Sequence, residues 1–461
     1  MIAKELLDPK SIAIVGASSD IYKPGGRVLM NIKNSPFKGQ LYAVNPKETE
    51  VQGVKCYAKV EDLPQVDCAI LAIAAKYCPA TVDVLALQKG TKAFIIFTAG
   101  FSELNEEGAA YEKHIVDTIN SVGGSLIGPN CIGFINLNYY GVFAGFTPIP
   151  NTHGVELISS SGSVQGWLSE FGSVNGLPFN TVWSLGNSNQ MGIEDVFEHL
   201  DETFDPEKSS RAIIFYMEKL SDPEKLLKHA RSLINKGCRI AGLKSGCSPA
   251  GNRAVVAHTG TEPLSDEFVN DLFRKAGIVR CEDRLELTTV GGIFMYPEVK
   301  GKNVAVITHA GGPAVMLTDV LCNNGMEVPH LEGPKADALL SKLFNGSTVA
   351  NPIDMLATGT AEQLGQVIDA MENDFDNIDC MCVLYGSPGL FPNYDAYDVL
   401  DEKMKTCKKP IFPILPSVVN AKDEIEYFVN TKHRFNFIEE CVFGRALCKV
   451  YNTPKPEPEN P

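Results

Sequence analysis

The sequence predicts an α/β protein built from doubly wound, largely parallel sheets. Short apolar segments recur along the chain, and segments with helical periodicity lie between them. Strands that are apolar throughout are typical of parallel sheets covered by helices on both faces. The segments fall into three groups, so we predict three domains and a disordered Pro-rich tail, with the bounds 1–148, 149–298, 299–452 and 453–461.

Composition narrows the class of protein. The chain has 461 residues and a formal net charge of -15, which argues against a general nucleic-acid surface. No apolar run approaches the roughly 18 to 20 residues that a membrane span needs, and the first residues pass directly into a predicted strand without a signal-peptide pattern. We therefore expect a cytoplasmic protein with no membrane partner.

The cysteines predict neither disulfides nor a metal centre. The chain has 13 cysteines scattered from Cys56 to Cys448, and no pair has the Cys-x-x-Cys spacing. We expect reduced, mostly buried thiols and no metal site.

The first group of segments predicts a parallel sheet with a ligand site at its carboxyl edge. The predicted strands are 11–16, 40–45, 68–73, 93–97 and 125–127, with a helix near 26–34. Each strand ends in a small or polar turn, whose backbone N–H groups we expect to be free for a phosphate. These turns are 16–18, 45–47, 74–75, 98–101 and 128–131.

The ligand of this sheet does not fit a nicotinamide dinucleotide. The Gly-x-Gly-x-x-Gly fingerprint is absent after Gly16, and Asn45-Pro46-Lys47 stands where an acidic residue would bind a ribose. Lys47 favours a phosphate-bearing ligand of another kind. A lysine solvated on a loop explains the same residue equally well.

The second group contributes a predicted anion site and a carboxylate. Its predicted strands are 155–158, 181–185, 211–216 and 239–243, and the first leads through the serine-rich turn 159–163 into a helix over 164–174. Hydroxyl groups and a helix N-terminus suit an anion. Glu218 follows the third strand, at the edge where ligands bind, although a strand-end glutamate facing water is common.

The stretch 244–260 contains the histidine that is the main candidate for a catalytic residue. Its Gly, Ser and Pro content predicts an irregular surface loop. His258 lies in it, flanked by Thr259 and Gly260. An imidazole on a mobile loop can be carried to a reacting group, whereas a core histidine cannot.

The third group repeats the α/β pattern. After a helix over 264–276, a strand at 278–280 and a helix to about residue 296, the predicted strands are 303–308, 326–328, 379–385 and 410–414, with a turn at 351–354.

Ten motifs in order resemble the α subunit of ADP-forming acyl-CoA synthetases, relatives of succinyl-CoA synthetase. The resemblance covers about residues 8 to 450. The motifs are VGAS, VNPK, TAGFSE, GPNCIG, SSSGS, SLGN, YMEKL, GNRAVVAHTG with LFRKAGIVR, THAGGPAV and NPID. None is decisive alone, but their order makes the resemblance specific.

The resemblance implies a Rossmann-like CoA-binding domain followed by two flavodoxin-like domains. It implies that His258 is phosphorylated, that Glu218 orients it, and that Ser159, Ser161, Gly162 and Ser163 bind the phosphate. It also implies coenzyme A on the strand ends of the first sheet. The residues assigned there are Gly16, Ala17, Ser18, Lys47, Ala74, Thr98, Ala99, Gly100, Asn130 and Cys131. Ala257 and Ser160 depart from the family pattern, which usually has Ser and Gln there.

The resemblance further implies a partner. The chain has no Gly-x-x-x-x-Gly-Lys-[Ser/Thr] loop, and in the family an ATP-grasp β subunit binds the nucleotide with Mg²⁺, in an α2β2 assembly. The implied reaction converts acyl-CoA, ADP and phosphate into acid, ATP and CoA through an acyl phosphate, with acetate or another small acid expected. The residues leave open the acid and which ring nitrogen is phosphorylated.

Two other classes of function stay open at this point. A non-catalytic CoA-binding regulatory module would keep the turns of the first sheet but would need neither His258 nor Glu218. A nucleotide-dependent oxidoreductase would suit the first strand, but the broken fingerprint argues against it.

Overall fold

The architecture is taken from a computed structural model. It describes residues 2–259, 264–387, 389 and 391–456, except for the side chains of His258 and Thr259. Within those ranges no helix combines the length and apolarity that crossing a membrane requires. Most of the predicted disordered tail, residues 457–461, lies outside the described residues.

The first sheet has seven strands in the order β3-β4-β2-β1-β5-β6-β7. All pairs are parallel except β3 with β4. The strands are β1 (Ser11–Val15), β2 (Gln40–Val44), β3 (Glu50–Val51), β4 (Val54–Tyr57), β5 (Cys68–Leu71), β6 (Ala93–Ile96) and β7 (Ser125–Ile127), and the helices are α1 (Lys4–Leu7), α2 (Pro24–Lys33), α3 (Cys78–Gln88) and α4 (Glu106–Ser121).

The second sheet also has seven strands, in the order β14-β13-β12-β10-β11-β8-β9. The strands are β8 (Gly133–Ile135), β9 (Tyr140–Val142), β10 (Val155–Ser159), β11 (Phe179–Ser184), β12 (Ala212–Met217), β13 (Arg239–Lys244) and β14 (Val279–Cys281). The helices are α5 (Gly162–Val174), α6 (Ile193–Glu202), α7 (Pro223–Asn235), α8 (Pro249–Thr259) and α9 (Asp266–Ala276).

The strands β8 and β9 were not predicted. They form an antiparallel hairpin, and β8 pairs antiparallel with β11 at the edge of the second sheet. Their apolar residues continue the core, since Phe134 packs edge-on against Trp183 at 4.6 Å. One apolar cluster runs through both sheets, from Ile12 and Phe97 to Phe215.

The third sheet is smaller, with four parallel strands in the order β16-β15-β17-β18. The strands are β15 (Val304–Thr308), β16 (Ile353–Asp354), β17 (Cys380–Leu384) and β18 (Ile411–Ile414). The helices are α10 (Arg284–Phe294), α11 (Gly311–Asn323), α12 (Pro334–Leu340), α13 (Ala361–Asn373), α14 (Tyr394–Thr406), α15 (Lys422–Asn430) and α16 (Glu440–Asn452).

The chain divides into two compact units. One holds residues 1–170, 178–282 and 454–461 and contains the first two sheets; the other holds 171–177 and 283–453 and contains the third. Each unit has its own buried apolar clusters.

The predicted loop over 244–260 is wrong for most of its length, because Pro249–Thr259 is the helix α8. Ser248 caps it: its Oγ accepts the N–H of Gly251 at 3.0 Å, and Pro249 occupies the first helical position. Val255 adds a buried apolar contact. A cap and a proline at N1 start a helix, although the same residues also favour loops.

Two further predictions in the third sheet are wrong. Residues 326–328 form no strand; Glu327 makes an isolated bridge to Asn303. The predicted turn at 351–354 ends in the strand β16, where Ile353 and Asp354 pair with β15. Such short pairings depend on the neighbouring strand and leave little periodicity in the sequence.

Candidate active site

The turns at the carboxyl edge of the first sheet are joined to one another by hydrogen bonds. Asn45 Nδ2 donates to the carbonyl of Ala17 at 2.8 Å. Thr98 Oγ1 donates to the carbonyl of Ile73 at 2.6 Å, and the N–H of Asn130 donates to the carbonyl of Thr98 at 3.0 Å. Hydrogen bonds therefore join the 45–47 turn to the 16–18 turn, and the 128–131 turn to the 98–101 turn.

The expectation that the N–H groups of these turns are free is wrong at several positions. The N–H of Gly16 donates to Val44 at 3.0 Å, because the turn continues the pairing of its strand. The N–H groups of Gly100 and Phe101 donate to the carboxylate of Glu103. Burial opposes ionisation of Glu103, but Asn187 and these backbone donors lower its pKa overall. The 98–103 turn thus carries its own anion.

Other predicted CoA residues differ in accessibility. Lys47, Ala74 and Ala99 are exposed, and Ser18 is half-buried. Ala17 is fully buried, backbone included, so it lies beneath the surface that a ligand would contact.

A cavity of about 240 Å³ lies where this edge meets the second sheet. It brings together Asn130 and Cys131 of the predicted CoA site, Ser161, Gly162 and Ser163 of the predicted phosphate site, and the predicted catalytic Glu218. The other lining residues are Phe97, Ile132, Phe143, Ser160, Gly186, Asn187 and Lys219. The predicted CoA residues 16–18, 47, 74 and 98–100 lie outside its lining.

In the serine-rich turn, the Ser159 hydroxyl is buried within the protein, whereas the serines that follow it line the cavity. Ser159 is fully buried, and its Oγ donates to the carbonyl of Ser161 at 2.7 Å. Ser161 and Ser163 have their Oγ atoms 3.2 Å apart at the start of α5. The Oγ of Ser160 has no hydrogen-bond partner among the described residues, although it is buried. The first N–H groups of a helix also lack partners within the helix, so this wall of the cavity suits an anion.

The carboxylate of Glu218 is buried and held by a tyrosine. The Tyr216 hydroxyl lies 2.9 Å from Glu218 Oε1 and 2.7 Å from Ser245 Oγ. A phenol has one proton, so we expect Tyr216 to donate to the carboxylate and accept from Ser245. Burial raises the pKa of Tyr216, which keeps that proton in place.

Close packing between the two sheets fixes the cavity floor. Gly186 has φ +61°, and a Cβ built there would lie 2.2 Å from the carbonyl oxygen of Pro129. Any side chain at this position would push the 128–131 turn away. We do not expect the Cys131 thiol to act as a nucleophile, because burial raises its pKa and its Sγ lies 3.4 Å from the carbonyl of Ile96.

Sequence reasoning missed two polar residues of the cavity, Lys219 and Asn187. Lys219 directly follows Glu218 at the end of β12, and Asn187 follows β11. Their positions after strands of a parallel sheet were the signal that could have identified them.

The predicted nucleophile lies in the last turn of α8. The side chain of His258 lies outside the described part of the chain, so the site is described from Glu218 and the serine-rich turn alone. In the described part of the chain, the one cluster that could hold a metal ion is Glu439, Glu440 and Cys441. It contains none of the predicted site residues.

Two family models match the chain. Residues 10–136 match a CoA binding domain, and residues 152–294 match a succinyl-CoA ligase like flavodoxin domain. With the sheets described above, they confirm the predicted fold class: an N-terminal CoA-binding domain and flavodoxin-like domains. The matched models place the chain among proteins that combine a CoA binding domain with a succinyl-CoA ligase like flavodoxin domain.

Individual relatives narrow this class. The chain is 32% identical over 397 residues to the acetate–CoA ligase [ADP-forming] II subunit alpha of Pyrococcus furiosus, covering 85% of each chain. It is 30% identical over 383 residues to the acetate–CoA ligase [ADP-forming] I of Archaeoglobus fulgidus, of which it spans about half (54%). The structure of the acetyl-coenzyme A synthetase 1 of Ca. Korarchaeum cryptofilum matches with a TM-score of 0.84 at 23% identity, over 97% of this chain and 96% of that one.

The chain therefore belongs to the family of ADP-forming acetate–CoA ligase alpha subunits. It is a subunit of an acyl-CoA synthetase, as the ordered motifs predicted. A relative named as an alpha subunit also implies a partner subunit.

Proposed function

We propose that this subunit interconverts acyl-CoA, ADP and phosphate with acid, ATP and CoA through an acyl phosphate and a phosphohistidine at His258. The observation that carries the proposal is the cavity, which combines the start of α5, the buried Glu218 and the 128–131 turn of the CoA-binding domain. A site for phosphate thus adjoins a site for the thioester.

The proposed chemistry has two transfers on this chain. A phosphate oxygen attacks the thioester carbonyl, the C–S bond breaks, and CoA leaves as the thiolate. A ring nitrogen of His258 then attacks the phosphorus of the acyl phosphate, and the carboxylate leaves as product. Neutral imidazole is available near pH 7 because its ordinary pKa is about 6.5.

The protein groups assist by charge and orientation. The serines and first N–H groups of α5 lie where charge on the transferring phosphoryl needs stabilisation. Glu218 would bind the second ring nitrogen of His258, leave the first free to attack, and stabilise the cationic ring. Tyr216 supports this role, since it fixes one carboxylate oxygen.

We place CoA along the carboxyl edge of the first sheet. The linked turns and the exposed Lys47 favour a phosphate-bearing ligand there. Because several N–H groups of this edge are internally bonded, we expect side chains and exposed backbone at residues 18, 47, 74 and 99 to contribute most.

The remaining step needs a partner. We propose that an ATP-grasp β subunit binds ADP with Mg²⁺ and accepts the phosphoryl group, in a cytoplasmic α2β2 assembly. Mg²⁺ would supply charge neutralisation of the nucleotide phosphates there. The absence of a phosphate-binding loop of the Walker type from this sequence supports the division of labour.

We propose a small acyl group, such as acetyl. Phe97 and Phe143 pack edge-on with ring centres 4.8 Å apart and, with Ile132, form the apolar wall of a cavity of about 240 Å³. Comparing kcat/KM for acetyl-CoA with that for longer acyl-CoA substrates tests this, and a preference for long chains would contradict it.

We also propose the domain bounds 1–148, 149–298 and 299–452. The family models, which end at 136 and 294, support boundaries near these positions.

Phosphoenzyme labelling tests the central proposal. The full chain, with acyl-CoA and radioactive phosphate, should acquire an acid-labile, base-stable label, whereas labelling from ATP should require the partner subunit. His258→Ala should abolish the label and retain CoA affinity. Glu218→Gln should slow labelling at least tenfold, because the ring loses its orienting carboxylate.

Each reaction should be run with and without the partner, because a site that the partner closes would react slowly in the isolated chain. A stable label on His258→Ala, or none on the unmodified chain with every substrate and the partner present, would contradict the phosphohistidine. The non-catalytic CoA-binding module would then be the better description.

A further inference from the structure

The cavity is lined by a basic side chain, Lys219, to which the proposed function assigns no role. Of the described residues that line it, only Lys219 is basic. The end of the neighbouring strand β10 and the start of α5 supply Ser160, Ser161 and Ser163, so a positive side chain and a helix start suited to an anion line the same cavity.

Lys219 is held in place by a chain of polar contacts. Its Nζ donates to Asn189 Oδ1 at 2.9 Å, and Asn189 Nδ2 in turn donates to Glu112 Oε1 at 2.8 Å. Asn187, also in the cavity lining, donates to Glu112 Oε2 at 3.1 Å and to Glu103 Oε2 at 2.7 Å. The side-chain amide of Asn189, in the turn after β11, thus connects Lys219 to the buried Glu112 on α4. Asn187 contacts the same carboxylate from the same turn.

The surroundings of Lys219 act on its pKa in opposite directions, and the net effect is a lowered pKa. Burial lowers the pKa of Lys219, and the carboxylates of Glu112 and Glu194 raise it in part. A half-buried ammonium beside an anion pocket interacts more strongly with a ligand than a solvated one, because solvent screens it less.

We propose that Lys219 binds inorganic phosphate, and then the phosphoryl group of the acyl phosphate, with Asn189 as its positioning residue. Lysine acts on phosphate as a point charge that donates hydrogen bonds. The anion's place in the reaction rests on the proposed function, but its binding by Lys219 does not.

The alternative is a purely structural lysine that offsets the charge of Glu112 and Glu194. The two roles differ in their consequences. A structural lysine affects thermal stability when it is replaced, whereas a binding lysine affects the affinity for phosphate in protein that remains folded.

Calorimetric titration of the full chain with inorganic phosphate separates them. We expect Lys219→Met to weaken phosphate binding at least tenfold and Lys219→Arg to recover most of it. Asn189→Ala, which keeps the charge but removes the contact that directs it, should weaken binding by an intermediate factor. Lys228→Met removes an equal charge from an exposed position on α7 and should change affinity less than twofold.

CoA affinity, measured on the same variants, shows that the first sheet is intact. Should Lys219→Met fail to fold, Lys219→Arg and Asn189→Ala still decide the matter through phosphate affinity. Unchanged affinity in Lys219→Met, no weakening in Asn189→Ala, or no phosphate binding by the unmodified chain overturns the proposal. Phosphate binding that depends on Lys219 without any labelling of His258 would instead overturn the phosphohistidine alone.

Discussion

At the scale of single residues, the candidate site depends on side chains buried next to a ligand-sized space. Glu218 and Lys219 are consecutive, yet Glu218 is fixed by Tyr216 at 2.9 Å and Lys219 by Asn189 at 2.9 Å. A carboxylate and an ammonium group at one strand end can therefore interact with different groups. We propose that these are the His258 imidazole and phosphate.

The exposed Lys47 gives a direct test of the CoA site. Lys47→Ala should weaken CoA binding about tenfold, because a charge-assisted contact with a phosphate is lost. Calorimetry with CoA measures this, with the exposed Lys59→Ala as the control of equal charge. Equal affinities for both variants would mean that Lys47 is a solvated loop lysine. Binding of NAD in place of CoA would favour the oxidoreductase.

A second residue-scale prediction concerns Glu156, inside β10. Burial raises the pKa of Glu156 to about 7, although Trp183 and Thr181 oppose the shift. The folded state therefore retains a proton that the unfolded chain, with an ordinary glutamate pKa of about 4.3, releases earlier. Stability should fall as pH rises from about 4.3 to 7, by roughly 4 kcal/mol in total.

Glu156→Gln should remove this loss. Denaturant unfolding at pH 5 and pH 8 should show the variant gaining stability over the parent mainly at pH 8. The exposed Glu207→Gln corrects for the general effect of removing one acidic group. The same advantage at both pH values would show that Glu156 does not carry this dependence.

At the scale of elements, the turn after β11 joins the two sheets. Gly186→Ala should destabilise the protein by about 2 to 5 kcal/mol, from the strain of an alanine at φ +61° and from its Cβ 2.2 Å from the Pro129 carbonyl. Phosphate and CoA affinity should fall with it, because Asn130 and Asn187 flank the contact.

Gly145→Ala is the matched control for this prediction. A Cβ at Gly145 meets nothing within 4 Å. Thermal unfolding should therefore separate the two variants by several degrees. Similar unfolding temperatures would show that the 128–131 turn can shift without cost.

At the scale of the whole molecule, the cysteines report on how completely the chain is folded. Nine of the 13 cysteines are buried, and Cys247 and Cys322 are exposed. Burial raises the pKa of thiols such as Cys68, Cys78 and Cys238, so few thiolates are available inside. A thiol reagent should label about two groups rapidly in the native protein and 13 after denaturation.

Cys247→Ser and Cys322→Ser identify the fast groups. Each should remove one equivalent from the rapid phase. Rapid reaction of many more thiols in the native state would contradict the buried positions. Fewer than 13 after denaturation without reductant would indicate a disulfide, contrary to the sequence prediction.

The sequence by itself determined the fold class, the family and most strands. Apolar segments such as Cys68–Leu71 and Ala212–Met217 are buried along their whole length, so hydrophobicity alone marks them. Strand-end motifs identify candidate ligand positions, because parallel strands present their carboxyl ends on one edge.

Only the tertiary structure decided which of these positions share a space and which donors remain for a ligand. Asn130 and Glu218 meet in the cavity because β8 crosses to the second sheet. The N–H of Gly16 is used by Val44, on a neighbouring strand. Lys219 became a candidate through Asn189 and Glu112, which are distant in sequence. Such pairings depend on contacts between remote segments, and periodicity within a segment carries no record of them.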